Sequence, residues 1–283
     1  MIKRLRLFLG LVKFEHTIFA LPFAYLGGIL AYQGIFPVHY WVFLTLAMIG
    51  ARTAGMAMNR LIDRKIDARN PRTLDRALPK GLIPIWQVWL LVFVSLGLLF
   101  FSAYKLNLLC CILSPLVVIM LVSYSYLKRF TYLTHLGIGL VLACAPIGGW
   151  IAIKGSIAVL PIVLGAGVCF WTAGFDIIYA TQDLEFDQKA GMHSIPASFG
   201  IRKGLLISRL FHLITIISFA LVGILGKMGL FYWAGILAII FLLIYEHSLI
   251  SESDLSRVNT AFFSVNSLVS IILFISTVAD FSL

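Results

Sequence analysis

Apolar segments of about twenty residues recur along the whole chain, and they constrain its fold more than any other feature. A run of roughly 20 apolar residues crosses the hydrocarbon core of a bilayer as a helix. Hydrophobic residues make up 61% of the 283 residues. Because lipid offers no partners to backbone N–H and C=O groups, long runs without strict alternation must be helical. The sequence predicts nine spans, near residues 16–33, 39–60, 83–104, 106–126, 133–152, 157–180, 203–226, 228–250 and 259–280.

The Lys and Arg residues between these spans fall mostly on one side of the membrane. Seventeen lie on the side that holds the N-terminus and three lie on the other side. An excess of Lys and Arg marks the cytoplasmic side, so we expect the N-terminus and the charged loops 61–82 and 181–202 to face the cytoplasm from the cell's inner membrane. The net charge of +10 is then mainly a topology signal. No soluble basic domain is predicted that would bind nucleic acid.

Residues 1–13 begin like a signal peptide but lack a small-residue cleavage site before the first long apolar run. An amphipathic helix at the cytoplasmic interface fits this segment better. Glu15 and His16, at the mouth of the first span, are interpreted as an interfacial pair. The sequence as a whole predicts one polytopic domain over residues 1–283, an all-α membrane bundle around a central cavity.

A first acidic stripe occurs where the second span runs out into charged residues. Asn59, Asp63 and Asp67 are spaced four residues apart, in a chain with only twelve Asp and Glu. Since a helix turns about 100° per residue, this spacing places the three side chains on one face. Carboxylate and amide oxygens are the hard ligands that Mg²⁺ prefers, with phosphate completing its shell. The alternative is a solvated helix end.

A second stripe follows the sixth span on the same predicted side of the membrane. Asp176, Tyr179, Asp183 and Asp187 have spacings that also share one helical face. Asp183 and Asp187 are predicted to bind a second Mg²⁺. Asp176 lies deeper, and three roles stay open for it: a base, a group that orients a hydroxyl, or a partner of Arg52.

Arg52 is an isolated cation inside the second span. It shares a face with Asn59 and lies about 10 Å deeper, at ~1.5 Å per residue. A buried arginine normally faces a polar cavity or a partner, so Arg52 is predicted to hold the carboxylate of a second substrate. Snorkelling to the interface is the alternative.

Cations surround both stripes in the loops of the same side. A diphosphate group carries several negative charges, which Mg²⁺ held by the carboxylates and nearby Arg and Lys side chains together neutralise. Basic residues beside the two acidic stripes are therefore typical of a diphosphate-binding site. In an apolar bundle the diphosphate is expected to carry an isoprenyl tail among the helices. The predicted diphosphate-binding cations are Lys65, Arg72, Arg76, Lys128, Arg129 and Lys189.

Four motifs in order resemble the intramembrane aromatic prenyltransferases, and among them the 4-hydroxybenzoate polyprenyltransferases of quinone biosynthesis. The likeness runs from about His16 to Asn266. The motifs are Asn59-Arg-Leu-Ile-Asp63-Arg-Lys-Ile-Asp67, Arg72-Thr73-x₂-Arg76-x-Leu-Pro79-x-Gly81, Tyr124-Ser-Tyr-Leu-Lys128-Arg129 and Asp176-x₂-Tyr179-x₃-Asp183-x₃-Asp187-x-Lys189-x-Gly191. Arg52 also matches, in an Arg-x₂-Gly-x₃-Asn segment.

The resemblance implies a reaction and assigns roles. Two Mg²⁺ bind a polyprenyl diphosphate and promote its departure, and the ring of an aromatic acid attacks the allylic cation. Tyr124 is implied at the diphosphate, and Arg52 and Tyr179 at the aromatic acceptor. The product belongs to ubiquinone or menaquinone biosynthesis.

One departure from the family pattern leaves the acceptor open. The first motif of the family usually begins Asn-Asp, and this chain has Asn59-Arg60, so a naphthoate-type acceptor stays an alternative.

A secondary transporter is the main rival function. Such a protein could also have charged residues within its spans, here Arg52 and Asp176, and prolines that interrupt its helices. A CDP-alcohol phosphotransferase would carry an Asp-Gly-x₂-Ala-Arg segment, which is absent from the sequence.

Overall fold

Helices and short turns make up the fold. The structure, a computed structural model, describes residues 2–13 and 17–282, with side chains for 7–13 and 20–282, and this part contains no β-strand. The helices are α1 (Ile2–Val12), α2 (Thr17–Tyr32), α3 (Val38–Asp67), α4 (Ile85–Leu106), α5 (Leu108–Leu127), α6 (Thr134–Lys154), α7 (Val159–Ala180), α8 (Leu184–Ala190), α9 (Ile195–Phe199), α10 (Ile201–Leu225), α11 (Leu230–Ser248) and α12 (Val258–Ser282).

The predicted membrane bundle is confirmed. Among the described residues, eight segments are long and apolar enough to cross a bilayer, and α2 adds a shorter apolar helix, Ala20–Tyr32. The chain is therefore an integral membrane protein. Helix α1 forms within the predicted segment 1–13, and its place at the membrane surface stays a prediction. Glu15 and His16 lie outside the described residues.

The two acidic stripes are built differently from each other. Helix α3 continues to Asp67, beyond the predicted end of its span, so the whole first stripe is helical. The second stripe was predicted on one helix, and this is wrong, because α7 ends at Ala180 and a 3₁₀ turn, Thr181–Asp183, precedes α8. The Thr181 hydroxyl donates to the Ile178 carbonyl at 2.7 Å, a local bond of the kind that competes with regular helix.

Aromatic side chains fill the centre of the bundle between α2, α7 and α10. The ring centroids of Phe23 and Trp171 lie 5.2 Å apart, and those of Trp171 and Phe175 lie 4.9 Å apart. Phe23, Trp171 and Phe219 are fully buried. Because lipid is as apolar as these side chains, close packing rather than exclusion of water holds such helices together.

Helices α2 and α6 approach each other through glycine. A methyl group on Gly149 would overlap the carbonyl oxygen of Ala24, and one on Gly27 would overlap the carbonyl oxygen of Pro146. Small residues of this kind allow backbones to touch in membrane bundles. The contact fixes the position of α6, which forms one wall of the cavity described below.

This contact gives a stability prediction with a matched control on the same helix. Gly149→Ala forces α2 and α6 apart, and overpacking of this kind costs about 1–3 kcal/mol. Gly148→Ala has no described atom within 4 Å of the added Cβ, so its stability should stay unchanged or rise. Thermal unfolding in detergent measures both. Equal melting temperatures for the two variants would contradict the packing.

Candidate active site

One large cavity runs through the bundle, with a volume of about 720 Å³. Its polar end collects residues from both acidic stripes and from the loops between α3 and α4 and after α5. Fifteen site residues were predicted, and this cavity brings twelve of them together. They are Arg52, Asn59, Asp63, Asp67, Arg72, Arg76, Tyr124, Lys128, Asp176, Tyr179, Asp183 and Asp187, of which Asp176 and Arg52 lie deeper along their helices.

The other three of the fifteen predicted site residues do not line the cavity. Arg129 lies behind the wall and reaches Asp63 from there. Lys65 and Lys189 are exposed, and Lys189 pairs with Glu185 at 3.9 Å, so neither is placed where a diphosphate in the cavity would contact it.

The other end of the cavity is apolar and reaches the outside of the bundle. It is lined by residues of α5 and α6 and of the turn that follows α6. Leu116, Leu140 and Ile157 line the cavity and are also exposed on the surface. Because this surface belongs to membrane-crossing helices, the apolar end opens toward lipid.

Asp63 is a buried carboxylate of the first stripe, and its side chain is only 5% exposed. Asn59 donates its amide N–H to Asp63 Oδ2 at 3.0 Å, which confirms that the two residues share a helical face. Arg129 Nη2 lies 3.1 Å from Oδ1, and Lys128 Nζ lies 3.5 Å from Oδ2. Two cations from the end of α5 therefore neutralise one buried carboxylate on α3.

Asp67 is neutralised by one cation from the following loop and one from its own helix. Arg76, in the loop after α3, donates from Nη1 to both carboxylate oxygens at 2.8 Å. Arg60 Nη1 lies 4.0 Å from Asp67 Oδ2, and Arg60 Nε donates to the carbonyl of Leu11 at 3.3 Å. Arg60, the residue that departs from the family pattern, thus joins the end of α1 to the first stripe.

Arg72, in the loop after α3, contacts the second stripe. Its guanidinium forms two hydrogen bonds with the Asp183 carboxylate, that from Nε measuring 2.8 Å, and it donates to the Tyr179 hydroxyl at 2.8 Å. Asn70 also donates to Asp183, at 2.9 Å. Burial lowers the pKa of Arg72, but the hydrogen bonds and negative charge of Asp183 and Tyr179 raise it above its ordinary value. Arg72 therefore stays charged.

Asp176 pairs with a histidine that sequence reasoning missed. Its Oδ2 lies 2.7 Å from His135 Nδ1, on α6. A contact with His135 was not among the three roles that the sequence left open for Asp176. No spacing or motif in the sequence distinguishes His135 from an ordinary interfacial histidine. Asn70 was missed as well, although its place before Pro71 is typical of a turn residue.

A π-helical turn shapes the wall beside Tyr179. In α12 the segment Ala261–Val265 is π-helical, a form that appears frequently at functional sites. The ring of Phe262, which lines the cavity, lies 4.3 Å from that of Tyr179 between centroids. Asn266 supports the turn by donating to the carbonyls of Ala261 and Phe262 at 3.0 and 3.3 Å.

Asn266 is held in turn by a buried acid. Its amide N–H donates to Glu246 Oε1, on α11, at 2.8 Å, and both side chains are fully buried. A buried carboxyl group needs a hydrogen-bond partner. The contact therefore links the position of Phe262, and so of Tyr179, to the packing of α11 against α12.

The donor set at the polar end fits Mg²⁺ that is shared with a substrate. The carboxylates of each stripe are hard oxygen donors that face one cavity. In the described part of the chain, no group of three or more His, Cys, Asp and Glu side chains is arranged to hold a metal by itself. Mg²⁺ is usually bound by one or two carboxylates together with substrate phosphates and water, and the residues present suit that mode.

The fold and the cavity define a helical membrane protein with paired acidic and basic groups at one end of an apolar chamber. The chain belongs to the UbiA prenyltransferase family, whose sequence profile matches residues 20–268. This membership confirms the resemblance seen in the four motifs. The protein is thus a member of a family of membrane prenyltransferases.

Known proteins resemble the chain over most of its length. A 4-hydroxybenzoate octaprenyltransferase of Shewanella loihica is 30% identical over 254 residues, which cover 89% of this chain and 88% of that protein. The apo structure of a UbiA homolog from Aeropyrum pernix is 33% identical, with a TM-score of 0.85 over 94% of this chain and 98% of that one. A UbiA homolog from Archaeoglobus fulgidus bound to DMAPP and Mg²⁺ shares the fold, at 21% identity and a TM-score of 0.74 over 98% and 99% of the two chains.

The support of the π-helical turn can be tested by mutation. Asn266→Leu leaves Glu246 and two carbonyls without their buried partner, which should cost about 1–3 kcal/mol of stability. Glu246→Gln is the matched control, since its amide oxygen can still accept from Asn266. Thermal unfolding in detergent compares the two. An Asn266→Leu variant as stable as Glu246→Gln would show that the hydrogen bonds do not hold the turn.

Proposed function

We propose that this protein transfers a polyprenyl group from a polyprenyl diphosphate to the ring of an aromatic acid, 4-hydroxybenzoate or a close analogue, in ubiquinone biosynthesis. The observation that carries the proposal is the single cavity, in which carboxylates and cations meet at one end and an apolar channel opens toward lipid at the other. Family membership and the name of the Shewanella relative support the choice of reaction and acceptor.

The diphosphate binds at the polar end. Lys128, Arg72 and Arg76 line the cavity there, and Arg129 adds charge from behind Asp63. Tyr124 lines the same wall. These cations suit the two to three negative charges of a diphosphate ester better than a neutral transported solute. The prenyl tail then extends along the apolar residues of α5 and α6.

Asn59, Asp63 and Asp67 on one side and Asp183 and Asp187 on the other are proposed to hold Mg²⁺. The Archaeoglobus relative, solved with Mg²⁺ and DMAPP, supports this choice of metal. Bound Mg²⁺ supplies Lewis-acid neutralisation of the charge that develops on the leaving diphosphate. The carboxylates orient the phosphate end of the substrate, and the apolar walls exclude water from the reacting carbon.

The aromatic acid is proposed to bind deeper, between Arg52 and Tyr179. Arg52 lies seven residues, or roughly 10 Å, from Asn59 along α3 and lines the cavity, where it pairs with the acceptor's carboxylate. Tyr179 and Phe262 offer ring faces to an aromatic substrate. Asp176, which lines the same cavity, is proposed to contact the acceptor's hydroxyl group.

The protein is proposed to act as one polytopic domain in the inner membrane. The excess of Lys and Arg in the site-bearing loops supports a cytoplasmic polar end, where the water-soluble aromatic acid and Mg²⁺ are available. Helix α1 is proposed to lie at the same interface, where Arg60 contacts its last turn.

Product analysis tests the function. Membranes that contain the protein should release diphosphate from a prenyl diphosphate only when Mg²⁺ and an aromatic acid are both present. Mass spectrometry should detect the prenylated acid, and parallel reactions with hydroxybenzoates and hydroxynaphthoates identify the acceptor. A transporter would release no diphosphate, and that result would overturn the proposal.

The carboxylates give the first prediction from the proposed reaction. Asp63→Ala and Asp183→Ala should each lower turnover by about a hundredfold or more, because charge stabilisation at the leaving group is lost. They should also raise the Mg²⁺ concentration needed for half-maximal rate. Glu185→Ala is the matched control, since Glu185 is an exposed acid near the second stripe. Near-native rates in both stripe variants would rule out the two-metal arrangement.

Arg52 gives the second prediction. Removing one side of a buried charge pair costs about 2–5 kcal/mol, so Arg52→Leu should raise the Michaelis constant for the aromatic acid steeply. The constant for prenyl diphosphate should change far less. An acceptor whose carboxylate is replaced by a neutral amide should lose little further activity in the Arg52→Leu variant, because groups in direct contact couple. Independent losses would mean that Arg52 has another partner.

A further inference from the structure

His135 uses both of its ring nitrogens. It lies on α6 and is only 2% exposed. Nδ1 lies 2.7 Å from Asp176 Oδ2, and Nε2 lies 3.1 Å from the backbone nitrogen of Ile195, at the start of α9. The imidazole therefore spans from the loop before α9 to the deep carboxylate of α7.

The contact with Ile195 fixes which nitrogen carries the hydrogen. A backbone N–H can only donate, so Nε2 must accept and holds no hydrogen of its own. The neutral ring then has its hydrogen on Nδ1, where it is donated to Asp176 Oδ2. The main chain thus selects one tautomer of His135 and aims its N–H at the carboxylate.

Asp176 is left with one oxygen for a ligand. Its side chain is 25% exposed and lines the cavity, and the bond from His135 uses Oδ2. Asp176 precedes Asp183 by seven residues, and Arg52 precedes Asn59 by the same number. Both residues line the cavity, and both precede the proposed metal ligands of their stripes, so an acceptor that meets a diphosphate at the polar end would lie beside them.

We propose that His135 is a positioning residue that holds the Asp176 carboxylate in place to accept the proton of the acceptor's hydroxyl group. This inference rests on the function proposed above. It assigns His135 to the reaction, and it selects a base among the three roles that the sequence left open for Asp176. His135 itself makes no hydrogen bond to either substrate, because both of its ring nitrogens are occupied.

The step balances in atoms and electrons. The hydroxyl proton moves to Asp176 while the ring carbon next to that oxygen forms a bond to the first carbon of the prenyl chain. The bond between that carbon and the diphosphate oxygen breaks, and its electron pair leaves on the diphosphate. The ring carbon then gives up its hydrogen as a proton and the Asp176 proton returns to the oxygen, so one proton in total is released with the diphosphate.

Two substitutions at His135 separate positioning from simple packing. His135→Leu removes the N–H that holds Asp176 and should lower kcat about 10- to 100-fold, as loss of an orienting partner typically does. The Michaelis constant for prenyl diphosphate should stay within about twofold, because the polar end is untouched. His135→Gln supplies both an N–H and a carbonyl oxygen, so it should recover most of the lost kcat.

His212 provides a matched control. It is 3% exposed on α10, lies away from the cavity and is within hydrogen-bond distance of the Trp171 carbonyl oxygen at 3.3 Å. His212→Leu removes an equally buried imidazole, so it should lower the melting temperature without the selective loss of kcat. If His212→Leu and His135→Leu gave the same kinetic pattern, the effect would be one of packing and the proposal would fall.

Combination with Asp176→Asn decides whether His135 acts through Asp176. If it does, His135→Leu should cause little further loss in the Asp176→Asn background, since residues that act as a unit are not additive. An equal loss in both backgrounds overturns the proposal, as does a Gln variant no better than Leu. If His135→Leu fails to fold, His135→Asn is used instead, because the side-chain N–H of asparagine lies near the position of the histidine Nδ1. A folded His135→Asn variant that retains kcat supports the proposal. A folded variant that loses kcat overturns it.

The same measurements distinguish this inference from the proposed function. A wild-type protein that forms no prenylated acid overturns the function, and the role of His135 falls with it. A wild-type protein that forms product, with His135→Leu at native kcat, overturns the role of His135 alone.

Discussion

Neutralisation of buried carboxylates is the constraint on which the polar end of this bundle depends. Removing a charge from water is costly unless a partner and hydrogen bonds replace the solvent. Asp63 and Asp67 are almost fully buried, and their partners come from the end of α5 and from the loop after α3. Asp183 on the opposite wall takes its partner from the same loop. Charge pairing therefore binds separate segments into one site.

The same pairing bears on how the proposed ligands would bind. Three of the carboxylates proposed for Mg²⁺ have a cation proposed for the diphosphate beside them, namely Asp63 with Lys128, Asp67 with Arg76 and Asp183 with Arg72. A metal ion and a diphosphate bring opposite charges, so the carboxylates would hold the metal and the cations would hold the diphosphate. Binding of both ligands together would leave the buried charge nearly unchanged, whereas either ligand alone would leave one group unpaired.

Local spacing made much of the site predictable from sequence. Asn59 and Asp63 lie one helical turn apart, and the structure gives them a direct hydrogen bond. The second stripe was less predictable, because a 3₁₀ turn at Thr181 interrupts the helical phase. Long-range contacts carry no local signal. His135 meets Asp176 only through the packing of α6 on α7, and Asn70 reaches Asp183 across 113 residues.

The π-helical turn in α12 has a consequence for how the C-terminal part of the chain tolerates change. Such a turn contains one residue more than an α-helical turn, so the residues on its two sides follow different angular phases. Phe262 lines the cavity as well as the aromatic core, whereas Val269 and Leu273 lie in the core and do not line the cavity. A one-residue deletion here would restore a regular helix and turn one of these sets away from its neighbours. The surplus residue lets one helix belong to two surfaces at once.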